Sequence, residues 1–150
     1  MACDDGTVTV SVELAQRTAR VASEQAARAG VSLGEYVSGL VAGEVERRRP
    51  WRFEIEFDEQ RAAAHGATAD ELYDRVGAFV EPYGNVRVAR GTWQVCEGAD
   101  EFRAQPVALA RLVRERWVMQ NVRAITYCEN GIEGDYLDVV RRVSPQLICD

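Results

Sequence analysis

Hydrophobic and polar residues alternate strictly in one short segment near the start of the chain. The apolar positions are Val8, Val10 and Val12, and the polar positions between them are Thr7, Thr9 and Ser11. Successive side chains of a β-strand point to opposite faces, and β-branched residues favour the extended backbone. The pattern therefore predicts a strand over residues 7–12, whose valine face needs a core to cover it.

Two segments with helical spacing follow this strand. The first is expected to end at Gly30, which suits a left-handed C-terminal cap, and the second to begin at the capping box formed by Ser32 and Glu35. The apolar stripes are Leu14, Thr18, Val21, Ala22 and Ala26 in the first helix, and Leu33, Tyr36, Val37, Leu40, Val41 and Val45 in the second. Pro50 disfavours helical geometry in Arg49, so we expect the second helix to end there and a first domain to span residues 1–49.

The pattern after Pro50 predicts a second domain, residues 50–150, of mixed strands and helices. Phe53, Ile55 and Phe57 alternate with acidic residues, which is typical of a half-buried strand. The other expected elements are a helix after the capping box of Thr68 and Glu71, a hairpin around Arg90 and Gly91, a helix with Pro106 in its first turn, a strand over residues 122–128 and a last helix over Tyr136, Leu137, Val140 and Val143. This order, βαββαβ with an extra C-terminal helix, predicts a ferredoxin-like domain and an α+β chain.

The order and spacing of the elements in residues 1–49 resemble the ribbon-helix-helix superfamily of DNA-binding proteins. A strand at the start of such a chain needs a second copy to pair with, so the resemblance implies an intertwined homodimer. Its core would be formed by Val8, Val10, Val12, Tyr36, Val37 and Leu40.

The same resemblance implies a DNA interface, because in this superfamily the two-stranded ribbon enters the major groove. The outward residues that would read base edges are Thr7, Thr9 and Ser11, and the backbone amides that would hold a phosphate are those of Ser32, Leu33 and Gly34. The chain departs from the superfamily on the reading face. Threonine and serine are short and make single contacts, where Arg, Lys, Asn or Gln make bidentate ones.

Charge leaves two hypotheses open for the function. Residues 1–49 carry six arginines against seven acidic residues, and the whole chain has a net charge of −6. DNA affinity comes largely from phosphate neutralisation, which this balance does not supply. The leading hypothesis is a dimeric transcriptional regulator or antitoxin-like repressor, whose second domain oligomerises, senses a ligand or binds a partner. The alternative is a protein-interaction module, in which the first domain only dimerises the chain and the acidic second domain binds another protein.

The combination of the two predicted domains also resembles nickel-responsive repressors, whose second domain binds metal and forms a tetramer. The metal ligands of those proteins are mainly histidines, and this chain has one, His65. We therefore expect a homodimer or a tetramer, with no metal and no other cofactor.

The sequence has no P-loop and no G-x-G-x-x-G motif. The carboxylates of Glu54, Glu56 and Asp58 are expected to form a solvated strand face. We predict no catalytic residues and no enzymatic activity.

Four cysteines are spaced too widely for a C-x-x-C motif and are expected to be free thiols. They are Cys3, Cys96, Cys128 and Cys149. Since no apolar run reaches the length of a signal peptide or a membrane helix, we expect a cytoplasmic protein that does not contact membranes.

Overall fold

The structure, a computed structural model, describes residues 6–149. The chain divides into two compact units, one up to Glu44 and one from Val45. The chain contains both helices and a β-sheet, which confirms the predicted mixture of the two. Cys3, one of the expected free thiols, lies outside the described residues.

Two helices joined by a glycine turn form the secondary structure that is described for the first unit, as the sequence predicts. Helix α1 spans Gln16–Ala29 and ends at Gly30, which has a left-handed backbone with φ of 73°. Helix α2 spans Leu33–Arg48, so it continues past the end of the first unit. Its start is the expected capping box: the Ser32 hydroxyl accepts the Glu35 amide at 3.2 Å, and the Glu35 carboxylate accepts the Ser32 amide at 2.8 Å.

The strand predicted over residues 7–12 is not formed in the single chain. Residues 6–15 belong to no helix or strand, and Val8, Val10 and Val12 are 81%, 73% and 59% exposed. A strand needs a neighbouring strand to pair its backbone N–H and C=O groups. No described strand of the chain pairs with this segment.

A five-stranded sheet organises the second unit. Its strand order is β2-β3-β1-β4-β5, and every neighbouring pair is antiparallel. The strands are β1 (Arg52–Phe57), β2 (Asn85–Ala89), β3 (Thr92–Val95), β4 (Val122–Glu129) and β5 (Ile132–Asp135). In β1 the residues Phe53, Ile55 and Phe57 are buried while Glu54 and Glu56 are exposed, which confirms the predicted alternation.

The core of this unit lies between one face of the sheet and the helices. Phe53 and Trp93 stack on neighbouring strands with ring centroids 5.6 Å apart, and Leu72 and Leu109 cover them from the helical layer. The helices are α3 (Glu59–Ala64), α4 (Ala69–Val80), α5 (Ala108–Leu112), α6 (Arg116–Met119) and α7 (Tyr136–Val143). Thr68 and Glu71 form the predicted capping box at the start of α4.

Strand β5 was missed by the sequence analysis, which placed the last helix directly after the strand over 122–128. Asn130 and Gly131 both have positive φ, 53° and 76°, and they turn the chain from β4 into β5. The side-chain Oδ1 of Asn130 also accepts a hydrogen bond from the buried Trp51 indole at 3.1 Å. Asn-Gly is the commonest dipeptide of tight hairpin turns, so the signal was present in the sequence.

The placement of Pro106 in a first helical turn is wrong. Helical geometry begins at Glu101. The Asp100 carboxylate caps this start by accepting hydrogen bonds from the backbone amides of Phe102 and Arg103. Pro106 instead lies inside a π-helical turn, Arg103–Val107, that leads into α5. Proline lacks an N–H and crowds the carbonyl four residues back, and the wider π turn accommodates both effects.

Gly91, in the β2–β3 turn, provides a test of this packing. It has a φ of 77°, and a Cβ there would lie 2.6 Å from the Ile55 carbonyl oxygen. Gly66 has the same backbone, with φ of 76°, but open space around it. We expect Gly66→Ala to lower the free energy of unfolding by about 1–2 kcal/mol through backbone strain alone, and Gly91→Ala to lower it by a further amount of about 1–3 kcal/mol. Urea unfolding measures both, and equal losses would contradict the proposed close approach of β1 and the turn.

Candidate nucleic-acid interface

The start of α2 contains three of the residues predicted to contact DNA. The amides of Leu33 and Gly34 belong to the first helical turn, whose N–H groups have no acceptor within the helix. The Ser32 amide, in contrast, donates to the Glu35 carboxylate at 2.8 Å. The capping box therefore occupies one of the three amides that the resemblance assigns to a phosphate.

Glu35 also places a negative charge at this helix terminus. The pKa of the Glu35 carboxyl is lowered, mainly by the hydrogen bond from the backbone amide of Ser32 and to a smaller extent by one from the Ser32 hydroxyl. The carboxyl group is therefore ionised at neutral pH. A carboxylate in the first turn stabilises the helix through its dipole. The same charge repels a phosphate that approaches the Leu33 and Gly34 amides.

The three predicted base-reading residues are all exposed. Thr7, Thr9 and Ser11 lie in the segment without secondary structure. Their alternation gives them a common face only when residues 7–12 are extended and paired. The structure of the single chain does not bring them into a defined reading surface.

The predicted dimer core is open in the single chain. Tyr36 and Val37 are half-buried, and Leu40 is exposed. Among residues 6–44, Ala26 is the one apolar side chain that is fully buried. The large apolar side chains of this range that remain exposed are Val8, Val10, Val12, Leu14, Val21, Val31, Leu33, Leu40 and Val41.

His65 and Asp58 both make hydrogen bonds within the second unit. His65 is exposed and its Nδ1 lies 2.7 Å from the Oδ1 of the buried Asn121. The Asp58 carboxylate accepts the amides of Gln60 and Arg61 and so caps α3. Within residues 6–149, no three His, Cys, Asp or Glu side chains are grouped so as to hold a metal ion.

The described cysteines are free thiols, as expected. Cys128 is buried, and Cys96 and Cys149 are partly buried.

The structure brings together three arginines that the sequence analysis did not single out. Arg61 of α3, Arg123 of β4 and Arg141 of α7 line one cleft of about 350 Å³. No local motif could have connected them, because they lie on three separate elements.

In the part of the chain that the structure describes, no helix combines the length and the apolar character needed to cross a bilayer. No family model, curated protein or solved structure matches this chain.

The capping box at the start of α2 can be tested by its effect on Glu35. Replacing Ser32 by Ala removes the hydroxyl but keeps the backbone amide, so the pKa of Glu35 should rise part of the way towards its ordinary value. Because the substitution removes the N-cap side chain, the helix should lose about 1 kcal/mol of stability. Carboxyl-resolved NMR titration measures the pKa, and Ser38→Ala, within the same helix, is the matched control.

The sign of the pH dependence follows from the lowered pKa of Glu35. Its contribution to stability is present above the pKa of the unfolded chain and is lost as the pH falls through the lower folded-state pKa. An unchanged pKa of Glu35 in Ser32→Ala would contradict the hydroxyl contribution.

Proposed function

We propose that the chain forms an intertwined ribbon-helix-helix homodimer that acts as a DNA-binding transcriptional regulator or antitoxin-like repressor. One observation carries the proposal: an alternating segment, residues 7–12, has no strand partner within residues 6–149 and precedes two capped helices whose apolar stripes are largely exposed. A second copy supplies both the missing strand and the missing core.

Two-fold pairing explains why the same residues are exposed in the single chain. In an isologous interface each copy offers the same patch to the other, so residues 7–12 of two chains pair antiparallel as one ribbon. The valine face of that ribbon then covers Tyr36, Val37 and Leu40 of α2. Complete burial of a Val or Leu side chain contributes about 1.5–3 kcal/mol, and each chain contributes several such residues.

DNA contact in this dimer would use the opposite face of the ribbon. Thr7, Thr9 and Ser11 would meet base edges, and the free amides of Leu33 and Gly34 would hold the flanking phosphates. Since the reading side chains are short and the chain is acidic, the complex would be weak and best detected at low salt.

The sheet order supports a ferredoxin-like arrangement for the second unit. In a βαββαβ chain the first and third strands lie at the centre and the second and fourth flank them, and β2-β3-β1-β4 has this order. Strand β5 and helix α7 would be additions to it. In the proposal this unit serves oligomerisation, up to a tetramer, or binds a ligand or protein partner.

A second candidate function is favoured by the geometry of Glu35. Its ionised carboxylate accepts the hydrogen bond of the Ser32 amide, at the position where a phosphate would bind. A chain with a net charge of −6 also suits a basic protein partner better than DNA. In this alternative the first unit only dimerises the chain.

The proposed dimer is tested by a charge on the valine face. Val10→Asp would bury an unpaired carboxylate, which is strongly disfavoured, so the variant should sediment as a monomer. Thr9→Asp is the matched control, because it places the same charge on the polar face and should leave the dimer intact. A folded dimer of Val10→Asp in analytical ultracentrifugation would refute the pairing of residues 7–12.

The proposed DNA contact is tested with duplex DNA from upstream of the chain's own gene. We expect wild-type binding in a polarisation assay at low salt, with affinity that falls as salt is raised. Glu35→Gln keeps a capping-box residue and removes one charge beside the phosphate, so it should bind about threefold more tightly. Glu24→Gln, an equal charge change at an exposed position of α1, should have a smaller effect.

Two outcomes would count against this contact. Absence of any salt-dependent binding by the wild type would reject DNA binding and leave the protein-interaction module. Equal affinity of the Glu35→Gln and Glu24→Gln variants would reject a phosphate at the start of α2.

A further inference from the structure

A cleft in the second unit combines positive charge with an apolar base. Its volume is about 350 Å³, at the lower end of the range for small-molecule sites. Met119, Val122 and Leu137 are buried side chains that form part of its lining. Arg61, Arg123 and Arg141 supply three guanidinium groups to the same lining, in a chain that is acidic as a whole.

A break in strand pairing places Arg123 in this cleft. Glu56 of β1 pairs with Ala124 of β4, and Phe57 pairs with Val122, so Arg123 has no partner residue in β1. Such a β-bulge bends the strand and changes the direction of a side chain, and bulges are over-represented next to functional sites.

The three guanidinium groups are accessible to an incoming anion. Arg61 makes no side-chain hydrogen bond or ion pair with the described residues, beyond its electrostatic interaction with Asp58. Arg123 pairs with Glu56 at 3.1 Å and Arg141 pairs with Asp138, and all four of these side chains are more than half exposed. Exposed ion pairs of this kind contribute little free energy, so a ligand that offers a better acceptor can displace them.

Asp58 is the one acidic residue among the described residues that line the cleft. Its Oδ1 accepts the amides of Gln60 and Arg61 at 2.9 and 3.0 Å, and these hydrogen bonds hold it in place at the start of α3. Its charge opposes an anion in the cleft, which makes Asp58 a position where affinity can be increased without loss of the helix cap.

We propose that this cleft binds a small amphipathic anion, with a carboxylate or phosphate group held by the arginines and a compact apolar body against Val122 and Leu137. Guanidinium groups form charge-assisted, often bidentate hydrogen bonds with both kinds of head group. The proposal does not depend on DNA binding, because every residue that carries it lies in the second unit.

The experiment is isothermal titration calorimetry of the full chain with four probes. Phenylacetate and phenyl phosphate carry both a charged head and an apolar body, phenylacetamide is the neutral analogue of the first, and inorganic phosphate is a head group alone. We expect one bound phenylacetate or phenyl phosphate per chain, with phenylacetamide and inorganic phosphate weaker by about tenfold. The preferred head group identifies whether the ligand is a carboxylate or a phosphate.

Three variants separate the cleft from a general effect of charge. Arg61→Gln should weaken phenylacetate or phenyl phosphate binding by about tenfold, since it removes a charge-assisted hydrogen bond. Asp58→Asn keeps an N-cap residue and should strengthen binding by about threefold. Arg114→Gln, an exposed arginine outside the lining, should leave the affinity unchanged.

The proposal is overturned if neither charged probe binds, or if phenylacetamide binds as tightly as phenylacetate. It is also overturned if Arg61→Gln and Arg114→Gln have equal effects while far-ultraviolet circular dichroism shows that both are folded.

Discussion

Pairing of β1 on both of its edges is the interaction on which the second unit depends. Strand β1 is hydrogen-bonded to β3 on one side and to β4 on the other. Its buried side chains, Phe53, Ile55 and Phe57, form the centre of the core that the helices cover. Three other features are defined relative to this strand. They are the order of the whole sheet, the approach of Gly91 to Ile55 and the bulge at Arg123.

The first unit contains an equally clear alternating segment without such a partner. Residues 7–12 and β1 have the same period of two, yet of these two segments only β1 has neighbouring strands among the described residues. Alternation describes which residues share a face, whereas a strand forms only when its backbone groups are paired. The contrast between the two segments is the physical basis for proposing a second copy as the partner of residues 7–12.

Features that depend on neighbouring residues were predictable from the sequence. Each of these features needs only a few consecutive positions, and all of them are present. They are the Gly30 cap, the capping boxes at Ser32 and Thr68, and the turn at Arg90 and Gly91. Strand β5 has a local signal as well, because Asn130 and Gly131 form an Asn-Gly pair that favours a tight hairpin turn.

Features that depend on distant residues were not predictable in this way. Pro106 is accommodated because a helix that begins at Glu101 widens into a π turn, and a single proline does not reveal where its helix starts. The three arginines of the cleft converge because α3, β4 and α7 pack together, and no spacing along the chain encodes that. For the proposed DNA contact, the capping box of Ser32 and Glu35 was predictable from the sequence, and the structure adds the 2.8 Å distance at which Glu35 accepts the Ser32 amide.

In the proposed dimer, the pairing of residues 7–12 would depend on the amount of protein present. A strand that pairs within its chain forms with the same probability at any dilution, whereas one that pairs between chains follows mass action. Under this proposal the segment would be unpaired at low abundance, and exposed unpaired segments are sites at which proteases preferentially cut. In the proposed dimer, accumulation of the protein would therefore protect this segment from cleavage.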